Sequence, residues 1–198
     1  ATLLIVAIFY QFVFVSQVSA EEILTKSVTA QKERLNQIDQ PVVYQKLRVR
    51  RQDQDEMNWE VWRDTVRSRF RQNVTDEGTN RFNNDLWQIL QENGFNPQEP
   101  LSALTFSNWR KNLSVKTDSV ENSKTEDGKE LLILKTVNLR ADSMGRISTG
   151  ILKVRSDDFH PVEQILRITT NNGVETYSFK ELDFQVVSLN TLKPDFFP

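Results

Sequence analysis

Cysteine is absent from the chain, and its absence excludes several classes of site at once. Without a thiol there is no disulfide, no thiolate ligand for zinc or an iron–sulfur cluster, and no cysteine nucleophile. Histidine is nearly as scarce, because His160 is the only one among 198 residues. A metal site built from several imidazoles is therefore excluded as well, and we predict no cofactor.

A strong excess of charge of one sign is also lacking. The chain has 25 basic and 27 acidic residues, which leaves a formal net charge of −2. Such a balance offers a nucleic-acid backbone no general attraction, because nucleic-acid binding normally depends on a basic surface. We therefore predict no nucleic-acid partner.

No catalytic motif surrounds the one histidine. His160 lies in DDFHPVEQ, where Asp157, Asp158 and Glu163 are close enough in sequence to orient a general base. No nucleophile motif accompanies them, and Pro161 follows directly at the start of a predicted strand. We interpret His160 as a turn-capping or edge-strand residue, and we predict that the protein is not an enzyme.

One long apolar run is present at the start, ATLLIVAIFYQFVFVSQV, and it contains no charged residue. Crossing a bilayer takes ~20 residues, whereas the apolar part of a signal peptide has ~7–15 and follows a basic start. Val18-Ser19-Ala20 resembles a cleavage site, but no Lys or Arg precedes the run. We predict a transmembrane helix at 1–20 that contacts the lipid bilayer through residues 1–18. A retained signal-anchor and a buried core helix are the alternatives.

Residues 21–198 are predicted to form one extracytoplasmic α+β domain. Helical spacing of apolar residues indicates helices at 21–38, around Leu86 up to a cap at Gly94, and at 102–113. VVYQKLRVRR and WEVWRDTVRSRFRQNV alternate like strands, and a turn at Asp64-Thr65 divides the second run. TDSVENSKTEDGK is predicted to be an exposed loop or hairpin.

The last third is rich in strand patterns. ELLILKTVNL, GRISTGILKVR, PVEQILRITT and VETYSFKELDFQVVSL predict four strands, with a type I′ hairpin at Asn172-Gly173. The order of elements favours one curved antiparallel sheet, an open half-barrel, with helices covering one face.

The order of elements in residues 21–198, and several of their sequence segments, resemble a known fold family. The segments are VVYQKLRVRR with EVWRD…RFRQ, then LSALTFSNWRKNL and LKVRSDDFHPVEQILRI. They resemble the periplasmic lipoprotein-carrier and RseB-like domains of bacterial single-pass proteins related to anti-sigma factors. This resemblance implies an architecture that binds lipid-like ligands or partner proteins, and no catalytic residue is carried over.

Two groups of side chains are candidates for binding. A basic stripe is predicted on one sheet face, where it would dock an acidic partner or anionic headgroups if it is not merely a solvated surface. The stripe consists of Arg48, Arg50, Arg63, Arg67, Arg69 and Arg71. In the second run, Trp62, Val66 and Phe70 are predicted to share the face opposite its arginines. An apolar cavity, or alternatively part of the core, is predicted from Trp62, Phe70, Phe82, Leu86 and Trp109.

These features predict a non-enzymatic, membrane-anchored accessory subunit of a larger membrane protein complex. Its anchor would lie in the inner (cytoplasmic) membrane, and its partner-binding domain would lie in the periplasm. The alternatives are an extracytoplasmic sensor domain of an anti-sigma-like regulator and a carrier of lipid-like apolar ligands.

Overall fold

The computed structural model describes residues 18–52, 55–76, 81–141, 145–170 and 173–197, within which the chain forms three α-helices and eight strands. The helices are α1 (Ala20–Asn36), α2 (Arg81–Glu92) and α3 (Ala103–Asn112). The strands are β1 (Pro41–Arg51), β2 (Asp55–Asp64), β3 (Arg69–Asp76), β4 (Lys116–Lys124), β5 (Glu130–Asn138), β6 (Ile147–Arg155), β7 (Pro161–Thr170) and β8 (Gly173–Ser188).

The strands form one antiparallel sheet in the order β3-β2-β1-β8-β7-β6-β5-β4. Neighbouring strands in this order are also consecutive along the chain, with the exception of β1 and β8. Pairing of β1 with β8 therefore unites the N-terminal and C-terminal parts of the chain. The predicted α+β class with an open antiparallel sheet and covering helices is confirmed.

Local sequence signals account for the helix ends. The hydroxyl of Ser19 accepts a hydrogen bond from the backbone N–H of Glu22 at 3.1 Å, so the stretch that resembles a cleavage site supplies the N-cap of α1. Gly94 has a φ of 76°, and the N–H of Phe95 reaches back to the carbonyl of Leu90 at 2.8 Å. This is the Schellman arrangement that the glycine predicted for the end of α2.

Two hairpins differ in detail from the sequence pattern. Much of the stretch predicted as a loop or hairpin is strand β4, which pairs with β5 from Lys124 opposite Glu130. At the other hairpin Gly173 pairs with Thr170 as the first residue of β8, so the prediction that places Gly173 at the centre of the turn is wrong. Residues 171 and 172 lie outside the described residues.

The core lies between the three helices and one face of the sheet, which we call the inner face. Ile23 and Leu24 of α1, Leu86 of α2 and Phe106 of α3 are buried against it. A side chain on Gly150 of β6 would place its Cβ 2.6 Å from the ring of Trp109, so α3 can pack this closely only on a glycine.

Among the helices of these described ranges, none combines the length and the apolar composition that a membrane span requires. Residues 1–17, which carry most of the predicted transmembrane helix, lie outside them.

Candidate binding cleft

An apolar cleft of about 230 Å³ opens between α1 and the segment that connects α2 to α3. Its walls come from these two elements, and its floor is the inner face of β1, β2 and β8. The residues around it are Val28, Gln31, Lys32, Leu35, Val43, Gln45, Val61, Arg63, Gln98, Glu99, Leu101, Ser102, Leu104 and Phe184.

Helix α1 supplies one wall through the second half of its apolar face. Leu24 is fully buried in the core, but Val28, Gln31 and Leu35 follow it on the same face and line the cleft. Positions four, seven and eleven residues apart recur on one side of a helix. The predicted apolar face of α1 therefore divides into a core half and a cleft half.

The floor follows from strand register. Val43 pairs with Arg63, and Gln45 pairs with Val61 on one side and Phe184 on the other. Directly opposed residues in an antiparallel pair project from the same face. All five side chains therefore belong to the inner face at this end of the sheet.

One ion pair crosses the cleft from the floor to the opposite wall. Nη1 of Arg63 lies 2.8 Å from a carboxylate oxygen of Glu99, which belongs to the turn between α2 and α3. The two side chains are only 25% and 20% exposed. A guanidinium that is this far removed from water requires such a partner, because burial of an unpaired charge is costly.

A buried polar network adjoins the cleft. Nη1 of Arg34 donates to Nδ1 of His160 at 2.6 Å, and Nε2 of His160 lies 2.7 Å from a carboxylate oxygen of Glu181. A guanidinium only donates hydrogen bonds, so Nδ1 is the acceptor and Nε2 carries the hydrogen that Glu181 accepts. Gln45 donates to the same carboxylate at 3.0 Å and thereby joins the network to the cleft floor.

The network continues to the turn between β6 and β7. Asp158 accepts hydrogen bonds from Arg155, at 3.0 and 2.6 Å, and from Arg34. Burial would raise the pKa of the Asp158 carboxyl, but the hydrogen bonds from Arg155 and from the backbone N–H of His160 outweigh it. With the charge of Arg34 they lower this pKa to about 2.

This arrangement ties elements together and leaves no ring nitrogen for proton transfer. The His160 side chain is 1% exposed, both of its nitrogens are engaged, and its ring lies 4.5 Å from that of Phe184. Glu163, considered as its partner from the sequence, forms an ion pair with Lys153 instead. The prediction of a turn-capping or edge-strand histidine is wrong in detail, because this histidine is fully buried against α1.

The predicted basic stripe is divided between two faces. Four of its arginines lie on the outer face of the sheet, away from the helices: Arg48, Arg50, Arg69 and Arg71. Their strand partners are residues of the same face. Arg67 belongs to the turn at 65–68. The prediction that Arg63 shares their face is wrong: the hairpin places it opposite Phe70 on the inner face.

Acidic neighbours neutralise most of the stripe. Glu56 forms ion pairs with both Arg48 and Arg50, at 2.9 and 2.8 Å. Nη2 of Arg69 lies 2.9 Å from the carboxylate of Asp64, whose side chain is completely buried. Arg71 instead donates to the carbonyl of Phe196 at 3.2 Å and lies over the ring of the same residue.

The predicted apolar cavity is not where the sequence placed it. Trp62 lies on the outer face, where it contacts Tyr44 and Phe196 at ring separations of 4.2 and 5.0 Å. It does not share a face with Phe70, because the turn at 65–68 brings Arg71 opposite Trp62.

The other predicted cavity residues are also away from the cleft. Leu86 and Trp109 are buried in the core, where Trp109 also borders a separate hollow, and Phe70 is half-buried on the inner face without lining the cleft. The side chain of Phe82 lies outside the described residues. The cleft residues themselves alternate or recur like any core-facing positions, so no sequence signal separates them from the core.

Within the described ranges no group of three or more acidic or histidine side chains is placed to hold a metal ion. The cleft itself presents apolar side chains, three amide groups, one hydroxyl group and one internal ion pair.

No protein-family model matches the chain, and no curated protein matches it in sequence. Several solved structures are similar to it. The crystal structure of MucB in complex with MucA(peri) is similar at 11% identity with a TM-score of 0.45, over 90% of this chain and 60% of the matched one. The Pseudomonas aeruginosa MucA/MucB complex is similar at 12% identity with a TM-score of 0.43, over 87% of this chain and 59% of the matched one.

A LolA superfamily protein from Nitrosomonas europaea is similar at 11% identity with a TM-score of 0.33, over 85% of this chain and 93% of the other. These are structures of the RseB-like and lipoprotein-carrier kind. The resemblance stated from the sequence is confirmed in that sense, and at such identities it concerns the fold alone. The chain spans about three fifths of the length of the matched MucB-complex chains.

Proposed function

We propose that the described domain is a non-enzymatic binding module whose cleft takes an apolar, chain-shaped ligand. The observation that carries the proposal is the cleft of about 230 Å³, whose apolar lining includes Val28, Leu35, Val43, Val61 and Leu101. An apolar cavity of about 150 Å³ already binds benzene, whereas sites for drug-sized ligands begin at about 300 Å³. The cleft therefore suits one apolar chain or the end of a larger lipid.

The position of the cleft supports the same function. A closed core would have been filled by side chains, since protein interiors are packed to high density. Here Leu104, at the start of α3, borders the cleft and is still 44% exposed. An apolar surface that lies open to water beside an apolar hollow is favourable for a ligand that covers both.

The test is binding of N-phenyl-1-naphthylamine, a neutral apolar dye, to the full chain by fluorescence titration. Leu104→Glu places a charge at the border of the cleft, and we expect it to weaken dye binding by about tenfold, or about 1.4 kcal/mol. Leu139→Glu is the matched control, because Leu139 is similarly exposed, at 56%, and does not line the cleft.

Equal dye affinity in the wild type and both variants would contradict the proposal. Thermal unfolding of the three proteins accompanies the titration, so that loss of binding is separated from loss of folding.

We further propose that the chain is a membrane-anchored accessory subunit, anchored in the inner membrane with this domain in the periplasm. Two features support this: the uncharged apolar run at 1–18, and the cations Arg67 and Arg71. In the described part of the chain neither of them forms an ion pair with a carboxylate. They offer an acidic partner subunit a docking point, and the same anchor and face would serve an anti-sigma-like sensor domain.

The anchor is tested by Phe9→Arg. A charge at the centre of a transmembrane helix costs ~2.5–3.5 kcal/mol on insertion scales, so the variant should leave the membrane fraction on alkaline carbonate washing. Membrane association as tight as that of the wild type would contradict the anchor.

A further inference from the structure

We propose that the cleft is selective for an apolar ligand with one acidic group, and that Glu99 occupies the position of that group until the ligand binds. The inference rests on the proposed function of the cleft and names the class of its ligand. An acyl chain that ends in a carboxylate or a phosphate has this chemistry.

The charges that line the cleft are unequal. Three of its lining residues have basic or acidic side chains, namely Lys32, Arg63 and Glu99. Only Arg63 and Glu99 pair with one another. In the described part of the chain, no carboxylate forms an ion pair with Lys32, which stands on the exposed side of α1 at the rim. The cleft lining therefore has two basic side chains, and its one acidic side chain, Glu99, pairs with only one of them.

Arg63 places a charge on the core side of the sheet. It projects from the inner face of β2 between Val43 of β1 and Phe70 of β3, on the same side as the core. With 75% of its side chain removed from water, it depends on Glu99 for compensation. An arginine can bind a carboxylate or a phosphate through two parallel hydrogen bonds, which suits it to recognise either group.

Glu99 is held by a turn and not by a helix or strand. It lies between Pro97 and Pro100, and its backbone N–H donates to the carbonyl of Asn96 at 2.9 Å. Neither a helix nor a strand would have to unfold for its side chain to turn towards water. The acidic group of the ligand would then replace the carboxylate of Glu99 on Arg63, so that the arginine is paired both before and after the ligand binds.

The experiment is calorimetric titration of the full chain with four amphiphiles of equal chain length: decanoate, decyl phosphate, decanol and decyltrimethylammonium. We expect the two acids to bind at least about fivefold more tightly than decanol, and the cation to bind most weakly. The ratio of decanoate to decyl phosphate identifies the acidic group. Inorganic phosphate at the same concentration should not compete, because it lacks the chain.

Variants separate the two charges. Glu99→Gln removes the internal competitor, and it should raise the affinity for decanoate about fivefold while leaving that for decanol unchanged. Arg63→Met keeps an apolar stem of similar length, and it should abolish the preference for acids while decanol still binds. Glu60→Gln is the matched control, because Glu60 pairs with Lys46 on the outer face at 3.0 Å.

Equal binding of acid and alcohol by the wild type would overturn the inference and leave the apolar cleft intact. An unchanged decanoate-to-decanol ratio in Glu99→Gln would also overturn it, because Glu99 would then not compete. Failure of all four amphiphiles to bind would overturn the proposed function itself, and this inference with it.

Discussion

Arg34 and His160 stand 126 positions apart in the sequence, yet Nη1 of the arginine donates to Nδ1 of the histidine at 2.6 Å. This bond joins the N-terminal helix to the turn between β6 and β7. Because Glu181 and Gln45 continue the network to the cleft floor, the position of the α1 wall depends on the same contact.

The first prediction concerns this contact. His160→Phe fills the same space but leaves the guanidinium of Arg34 and the carboxylate of Glu181 without their shared partner. Arg34 keeps Asp158 and Glu181 keeps Gln45, but each loses one buried hydrogen bond. Hydrogen bonds to charged groups contribute ~1.5–3 kcal/mol each, so we expect a loss of about 2–4 kcal/mol in urea unfolding at pH 7.

Lys26→Leu is the control on the same helix. Lys26 pairs with Glu22 at 2.7 Å, but both side chains are about half exposed, and such pairs contribute ~0–1 kcal/mol. A loss in His160→Phe that does not exceed the loss in Lys26→Leu would mean that the network is not stabilising.

The second prediction concerns pH. The pKa of Asp158 is lowered from 3.8 to about 2 in the folded protein, so its ionised form favours folding. The contribution is complete above pH 3.8 and is lost as the pH falls through 2. With a side chain that is 34% exposed, solvent screening limits it to about 1–2 kcal/mol.

Unfolding of the wild type and Asp158→Asn from pH 6 to pH 2 measures this contribution. The variant should be less stable at pH 6, and the difference should shrink between pH 3.8 and pH 2. Because all other carboxylates titrate equally in both proteins, a difference that is constant with pH would show that the charge of Asp158 is not involved.

The third prediction is that two arginines of the basic stripe contribute unequally to stability. Arg69 pairs with the fully buried carboxylate of Asp64, which also accepts from the backbone N–H groups of Val66 and Arg67. Burial would raise the pKa of Asp64, but these hydrogen bonds hold it below its usual range. Arg69→Gln should therefore cost about 1–3 kcal/mol of stability.

Arg48→Gln provides the comparison, because the ion pair of Arg48 with Glu56 is exposed. We expect it to change the free energy of unfolding by no more than about 0.5 kcal/mol. Chemical denaturation of both variants tests the division, and equal losses would refute it.

The fourth prediction concerns the packing of α3. A Cβ at position 150 would lie 2.6 Å from the ring of Trp109 and 2.9 Å from that of Phe106. Gly150→Ala should therefore lower stability by about 1–3 kcal/mol, as overpacking of a core does. Adding Trp109→Leu should cost less in the Gly150→Ala background than in the wild type, because it relieves the clash. Strictly additive losses in thermal unfolding would contradict this close contact.

Elements that depend on neighbours in sequence were predictable. The cap at Gly94, the helix at 102–113 and the alternation of Leu47 and Val49 in β1 depend on backbone geometry and side-chain period over a few residues. The division of the second run at Asp64 was also read correctly. The sheet faces assigned to residues on either side of this turn were wrong. Side chains alternate between faces only within one strand, and the turn at 65–68 interrupts that alternation.

By itself, then, the sequence determined which kinds of site its composition excludes, the α+β pattern and most element boundaries. The tertiary structure decided which residues meet. His160 acquires Arg34 and Glu181, and Arg63 acquires Glu99, only because β1 pairs with β8 and the α2–α3 segment crosses the inner face. These contacts join residues that are tens of positions apart, and no local period or turn signal specifies such a distance.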